Sequence, residues 1–411
     1  MIVIPGLMGS RLVATQSGEQ LWPPGLWAVL TGGNPNALAL SIGSADPHAY
    51  IGGPIPRGLL VRTIGADFYG DLLETLSALG YKCVVGAEIT ADTDCVLMAW
   101  DWRRDLVEAA AKLDGLIERL REVRLEPALM VDLVAHSAGG LVARYFVRFG
   151  SRDVLDLSAE AVRMDETATS KVRKLALIGV PNYGSIFGLQ RLMRGYRVGL
   201  VGIPPEIMAT MPSIYQLLPH PERDWIVDSQ GNRLRRDLYD VEVWREARES
   251  IFDPQVRERI RRRFPSTEEA ESYLAALERY FARALRRGRR LHEVLSMPAP
   301  DLSSYYIVLG SDCRRTPAIC LLEEVDGQRE IRLHPQDVVN RVPGVDYEQL
   351  MLEPGDGRVT RASLLARDTL DPAARLGGFF PIHYVAFGCQ DHSALPNDFG
   401  IRHNLLNFLL Y

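Results

Sequence analysis

Residues Leu129 to Val134 are apolar apart from Asp132, and they run directly into Ala135-His136-Ser137-Ala138-Gly139-Gly140. An apolar run of this kind marks a strand buried on both faces of a parallel sheet. Gly139-Gly140 opens a helix that reaches to about Phe149. A nucleophilic serine between a strand and a helix needs a sharp turn that lifts its hydroxyl clear of the sheet. Small residues two before and two after it let strand and helix pass closely. Ala135 and Gly139 fill those places, so the pentapeptide reads A-x-S-x-G rather than G-x-S-x-G.

The rest of the chain supplies the sheet that such a turn requires. Strands are expected at Ile2–Ile4, Tyr81–Val85, Val96–Trp100, Leu175–Val180, Tyr305–Leu309 and His383–Phe387. Helices are expected over Phe68–Leu79 and Asp105–Val123, the second with apolar residues at three- and four-residue spacing. Alternating strands and helices predict an α/β fold with a mostly parallel, doubly wound sheet. Residues 1–181 form the first part of this core and include an irregular loop at 11–60 with two exposed tryptophans, Trp22 and Trp27. Loops this long in a compact domain are usually functional or partly disordered. Residues 182–304 read as a mostly helical cap inserted between sheet strands, and residues 305–411 as the second part of the core. Within the cap, Ser266 and Glu269 have capping-box spacing. Ala270, Leu274, Leu277, Phe281 and Leu285 then form one apolar stripe, and Gly288 is placed to end that helix.

Composition narrows the function. Of 411 residues, 47% are hydrophobic and 24% charged, which is ordinary for a globular protein. A net charge of −5 gives no support to nucleic-acid binding. No run approaches the ~18 apolar residues that span a bilayer. There is no HExxH, no GxxxxGK[ST] and no CxxC, so no metal or other cofactor is expected. Five cysteines with no paired motif fit a reducing compartment, and Met1 leads straight into a strand with no basic leader region. The expectation is a soluble, cytoplasmic protein. Between Trp244 and His292 stand 13 arginines against 8 acidic residues. That excess is either a solvated helical face or a peripheral surface leaning on anionic lipid headgroups.

A serine hydroxyl needs a base, and the base needs an orienting carboxylate. In this arrangement the order along the chain is serine, acid, histidine. His392 lies just past the last buried strand and is the candidate base. His383 sits at that strand's start and His403 on the terminal helix, while His136 is locked beside the serine. Asp356, in the glycine-flanked Gly355-Asp356-Gly357, is the favoured acid. Asp312 competes because it follows a strand, and Asp391 adjoins His392 too closely to reach its ring. The oxyanion donors expected are the backbone N–H groups of Ala138 and of Leu7, the latter in Pro5-Gly6-Leu7-Met8-Gly9-Ser10.

Several blocks in this order resemble the lecithin:cholesterol acyltransferase-like family, which includes phospholipid:diacylglycerol acyltransferases and lysosomal phospholipase. They are Ile4–Ser10, Leu21-Trp22, Gly53-Pro54, Gly58–Val61, Ala99-Trp100-Asp101-Trp102-Arg103 and Ala135–Arg144. Gly179–Ser185, Pro212–Pro219, Gly355–Val359 and Asp391-His392 with Leu395-Pro396 continue the series. The family's acid loop usually reads Gly-Asp-Gly-Thr-Val, which favours Asp356 over Asp312. Arg358 here replaces that threonine, a change expected to alter entrance polarity rather than chemistry. The resemblance implies an α/β-hydrolase fold and transfer of an acyl chain from a lipid ester, a phospholipid or acylglycerol, to water or an alcohol. It also implies that the cap and the 11–60 loop form an acyl tunnel with a membrane-facing rim, and that Asp101 and Arg103 form a structural pair. Two functions remain open: a serine-dependent lipid acyl hydrolase or O-acyltransferase, and a non-catalytic lipid- or partner-binding protein that keeps the fold.

Overall fold

Parallel strands cannot be joined by tight hairpins, so each connection must cross a face of the sheet. The computed structural model, which describes residues 1–25, 34–42, 53–63, 66–198, 201–297, 304–366 and 382–411, follows this rule. Seven strands form the central sheet: β1 Ile2–Ile4, β2 Cys83–Val85, β3 Cys95–Leu97, β4 Val131–His136, β5 Val172–Ile178, β6 Tyr305–Ser311 and β7 Tyr384–Gly388. All neighbours pair in parallel, in the spatial order β2-β3-β1-β4-β5-β6-β7. The flanking helices are α1 Gly70–Ala78, α2 Leu106–Arg124, α3 Ala138–Phe149 and, at the end of the chain, α6 Phe399–Leu410. This is the α/β class with a doubly wound sheet.

Alternation along the strands divides the core between the two faces. Ile2, Ile4, Leu133, Ala135, Leu175 and Leu177 pack with α2 and α3. Val3, Val134, Ala176 and Ile178 face the other way, against Leu72 and Leu76 of α1 and Ile401, Leu405 and Leu409 of α6. Asp132, the one carboxylate in its strand, is held by Arg173, whose Nε lies 2.9 Å away. α2 starts at Asp105, whose carboxylate accepts from the Val107 N–H, and it buries Leu106, Ala109, Leu113, Ile117 and Leu120.

Sheet order places the site. From β1 the chain crosses to β2 on one side; from β4 it crosses to β5 on the other. The carboxyl ends of adjacent strands that diverge in this way leave a crevice between them. Ile4 pairs with Ala135, so the loop after β1 emerges beside the turn that follows β4.

Between β5 and β6 lie α4 Ile186–Arg194, a hairpin of Tyr196–Val198 and Val201–Ile203, and the long α5 Thr267–Ser296. Ser266 caps α5 through the Glu269 N–H, and the expected stripe from Ala270 to Leu285 is buried. Gly288 does not end this helix, which continues to Ser296. Its role is spatial: a Cβ there would meet the Tyr215 carbonyl oxygen at 2.5 Å. Many arginines of this region pair with acids, among them Arg245 and Arg257 with Glu278, and Arg259 and Arg263 with Glu206.

Three other expectations are corrected. Within residues 11–60, Ser10–Val13, Gln20–Trp22 and Ile55–Leu59 form a small antiparallel sheet. Trp22 is buried, not exposed, packed edge-on against Trp102 at 5.4 Å. Trp27 lies outside the described residues. Cysteines expected to be reduced form two disulfides, Cys83–Cys95 between β2 and β3 and Cys313–Cys389 between the loops after β6 and β7; only Cys320 is free. Sequence cannot pair cysteines that are 76 residues apart. Finally, strands at Arg314–Pro317, Cys320–Val325, Gln328–Arg332 and Leu352–Gly355 precede the candidate acid, where no elements were expected.

α3 passes close to the end of β1. A Cβ on Gly139 would stand 2.6 Å from both the Ile4 and the Pro5 carbonyl oxygens, neither of which can rotate away. Gly139→Ala should therefore cost about 1–3 kcal/mol of stability despite the better helix propensity of alanine. Urea unfolding measures this, and an unchanged or raised midpoint would refute the close packing.

Candidate active site

Ser137 sits between β4 and α3 at φ 54° and ψ −129°, a conformation that L-residues rarely adopt. Its N–H donates to the Ile178 carbonyl at 2.9 Å, and its own carbonyl accepts from Gly140 at 2.9 Å. Its hydroxyl lies 2.8 Å from His392 Nε2. The opposite ring nitrogen, Nδ1, is 2.8 Å from Asp356 Oδ2. All three residues are buried. The three residues singled out in the sequence are thus brought together across separations of 255 and 36 positions.

Two loops hold the imidazole. His392 follows β7, and its N–H donates to the Asp356 carbonyl at 2.9 Å. Asp356 leaves the strand Leu352–Gly355, and its Oδ1 accepts from the N–H groups of Arg358 and Val359 at 2.9 and 2.7 Å. With Oδ1 occupied by the turn, Oδ2 is left for the histidine. The alternatives lie elsewhere: Asp312 pairs with Arg361, and Asp391 pairs with Arg314. His383 accepts from the Tyr306 N–H and stacks on Tyr305, a structural role.

The loop after β1 is fixed by groups that sequence patterning did not assign to it. Trp100 donates its indole N–H to the Pro5 carbonyl, Trp22 to that of Met8 and Trp102 to that of Ser10, at 2.9–3.1 Å. Trp100 and Trp102 flank Asp101, which forms the expected pair with buried Arg103. The outward carbonyls of the loop are therefore satisfied by side chains. Neither the Leu7 N–H nor that of Ala138 has an acceptor among the described residues. Ala138 is the first residue of α3, where the N–H has no partner inside the helix.

Tyr69 and His136 complete the network. The Gly6 N–H donates to Tyr69 Oη at 3.1 Å, and Tyr69 Oη lies 2.8 Å from His136 Nδ1. His136 Nε2 is 3.0 Å from the His392 carbonyl. A carbonyl only accepts, so Nε2 carries the proton and Nδ1 accepts from the tyrosine hydroxyl. Burial above all, and then the neighbouring His392, push the His136 pKa well below its ordinary value, so this ring is neutral. Tyr69 has no local sequence signal, because its partners lie 63 and 67 residues away.

Around Ser137 opens a mostly apolar cavity lined by Leu7, Met8, Trp22, Leu60, Phe68, Pro181, Phe187, Tyr196, Leu217 and Val359. Arg358 is the one lysine, arginine or carboxylate among the described residues that line it.

A parallel sheet in this order, with a buried serine–histidine–carboxylate array at its carboxyl ends, is the α/β-hydrolase fold. Residues 64–256 match the family model described as Lecithin:cholesterol acyltransferase. The matched stretch contains Tyr69, Ser137 and Ala138. Among solved structures, one described as "The crystal structure of Tle4-Tli4 complex" is similar over 100% of this chain and 97% of that chain, with 14% identity and a TM-score of 0.62. Its likeness is one of fold. A lipase from Bacillus licheniformis, BlEst2 in mature form, aligns over 78% of each chain at 13% identity and a TM-score of 0.31. No curated protein matches.

Two changes test how the site is held. Tyr69→Phe removes the partner of both Gly6 N–H and His136 Nδ1, and should cost about 1–3 kcal/mol of stability. Urea unfolding reads it, and a loss below 0.5 kcal/mol on the same order-of-magnitude scale would mean water replaces the hydroxyl. Replacing Cys313 and Cys389 by serine frees the loop that carries His392 and should lower stability by roughly 2–4 kcal/mol. An unshifted thermal midpoint would argue against the bridge.

Proposed function

We propose that this protein is a serine-dependent lipid acyl-ester hydrolase or O-acyltransferase working through an acyl-enzyme. The observation that carries the reading is the pair of 2.8 Å contacts made by His392, to Ser137 Oγ and to Asp356 Oδ2. Ser137 Oγ attacks the ester carbonyl while His392 Nε2 takes its proton, and Asp356 keeps Nδ1 protonated and steadies the imidazolium. The Leu7 and Ala138 N–H groups hold the tetrahedral oxyanion. The histidine returns the proton to the leaving alcohol. Water or a second alcohol then repeats the sequence on the acyl-enzyme, and the choice between them separates hydrolysis from transfer.

The family match and the apolar lining of the cavity support a lipid ester, a phospholipid or an acylglycerol. Among the described residues no helix is long and apolar enough to cross a membrane, so contact with a bilayer would be peripheral. Two disulfides favour an oxidising compartment over the cytoplasm suggested by the cysteine pattern.

A fluorophosphonate probe read by intact mass tests the chemistry. One adduct is expected on the parent protein and none on Ser137→Ala or His392→Ala. Ser137→Ala should lower turnover of phospholipid by about 10⁴-fold or more. Adding a long-chain alcohol to the phospholipid assay distinguishes a transferase, which forms the new ester, from a hydrolase, which does not. A parent protein that takes no label in the presence of vesicles, or a serine variant within about tenfold of the parent, would overturn the catalytic reading in favour of lipid binding.

A further inference from the structure

Among the described residues, the cavity over Ser137 is lined by one arginine and no carboxylate. That arginine, Arg358, has no carboxylate within ion-pair distance among the described residues. Its main chain is pinned on both sides. The N–H donates to Asp356 Oδ1 at 2.9 Å, and the carbonyl accepts from the Ser185 hydroxyl. The guanidinium lies over the Phe187 ring, 4.8 Å from its centre. Arg191 approaches the same ring at 3.9 Å and Tyr196 at 4.4 Å, again with no carboxylate partner, and its buried Nε has no acceptor. Burial, with a further contribution from Arg358, lowers Arg191 to about 10.

The Arg358 guanidinium is half-buried against an apolar wall, where an anion supplied by a ligand would form a charge-assisted hydrogen bond stronger than a neutral one. The loop that delivers Asp356 to the histidine delivers Arg358 to the substrate side, two residues on. We propose that Arg358 determines substrate specificity by binding an anionic, phosphate-class group on the polar end of an amphiphilic acyl ester, with Arg191 reinforcing the positive field from behind Phe187. The proposal rests on the acyl-ester reading and adds to it a preference for net-anionic over zwitterionic headgroups.

Two arms test it. In the first, phosphatidylglycerol and phosphatidylcholine with identical acyl chains are each diluted in excess neutral detergent micelles, which keeps surface charge low. The parent should favour phosphatidylglycerol by about tenfold or more in kcat/KM, the scale of one charge-assisted contact. Arg358→Gln should bring that ratio to within about twofold of unity, and Arg358→Lys should retain part of it. An equal loss on both lipids, with the ratio unchanged, would overturn the proposal.

In the second arm, Ser137→Ala protein is titrated with monomeric dodecyl phosphate and dodecylphosphocholine, followed by tryptophan fluorescence. Dodecyl phosphate should bind about tenfold tighter, and adding Arg358→Gln should abolish the difference. Equal affinity for the two amphiphiles, or inorganic phosphate binding as tightly as dodecyl phosphate, would overturn it. If the parent turns over neither lipid and takes no fluorophosphonate label, the acyl-ester reading fails, while this arm still decides the anion subsite.

Discussion

Ser137 is held in a backbone conformation that costs of order 1–3 kcal/mol and persists only where its surroundings over-determine it. Here they do. β4 is paired on both sides, by β1 and β5, and Ile178 accepts the Ser137 N–H. α3 then departs so close to β1 that a methyl group on Gly139 would collide with two of its carbonyl oxygens. The turn cannot relax without moving a central strand. The placement of the hydroxyl clear of the sheet, the Ala138 N–H without an acceptor among the described residues and the crevice above β1 and β4 all follow from that constraint.

The loop beside the turn obeys polar accounting more than hydrophobic packing. Residues Pro5 to Ser10 run through the interior, where each unpaired carbonyl would carry a desolvation penalty. Three indole N–H groups meet that demand from outside the loop, and the Tyr69 hydroxyl accepts the loop's Gly6 N–H. Once those bonds are made, the Leu7 N–H is left without an acceptor among the described residues. The same logic sets the tautomer of His136, which links this loop through Tyr69 to the carbonyl of His392. The loop after β1, the Ser137 turn and His392 are therefore one hydrogen-bonded unit.

The acid loop serves two ends of the cavity. One oxygen of Asp356 is spent on closing its own turn, and the other faces His392. The next side chain but one, Arg358, lines the cavity over Ser137 against Phe187. The disulfide Cys313–Cys389 ties the loops after β6 and β7 together near this point, so the histidine's approach is fixed covalently as well as by hydrogen bonds.

Sequence alone determined whatever depends on short-range pattern. The apolar run before Ser137, the helical spacing of Leu106 to Leu120 and the cap at Ser266 are local signals, and each corresponds to an element of the structure. Gly288 shows the limit of such signals: a glycine that reads as a helix end instead makes room for the Tyr215 backbone, which only packing reveals. Trp22 shows it again, because an aromatic in a Gly- and Pro-rich stretch reads as surface until its N–H finds the Met8 carbonyl. The pairing of cysteines, the choice among Asp356, Asp312 and Asp391, the clamp by Trp100 and Trp102 and the role of Tyr69 were decided by tertiary structure. Their partners lie tens to hundreds of residues away, and no pattern within a window of the chain encodes which carbonyl a distant donor will reach.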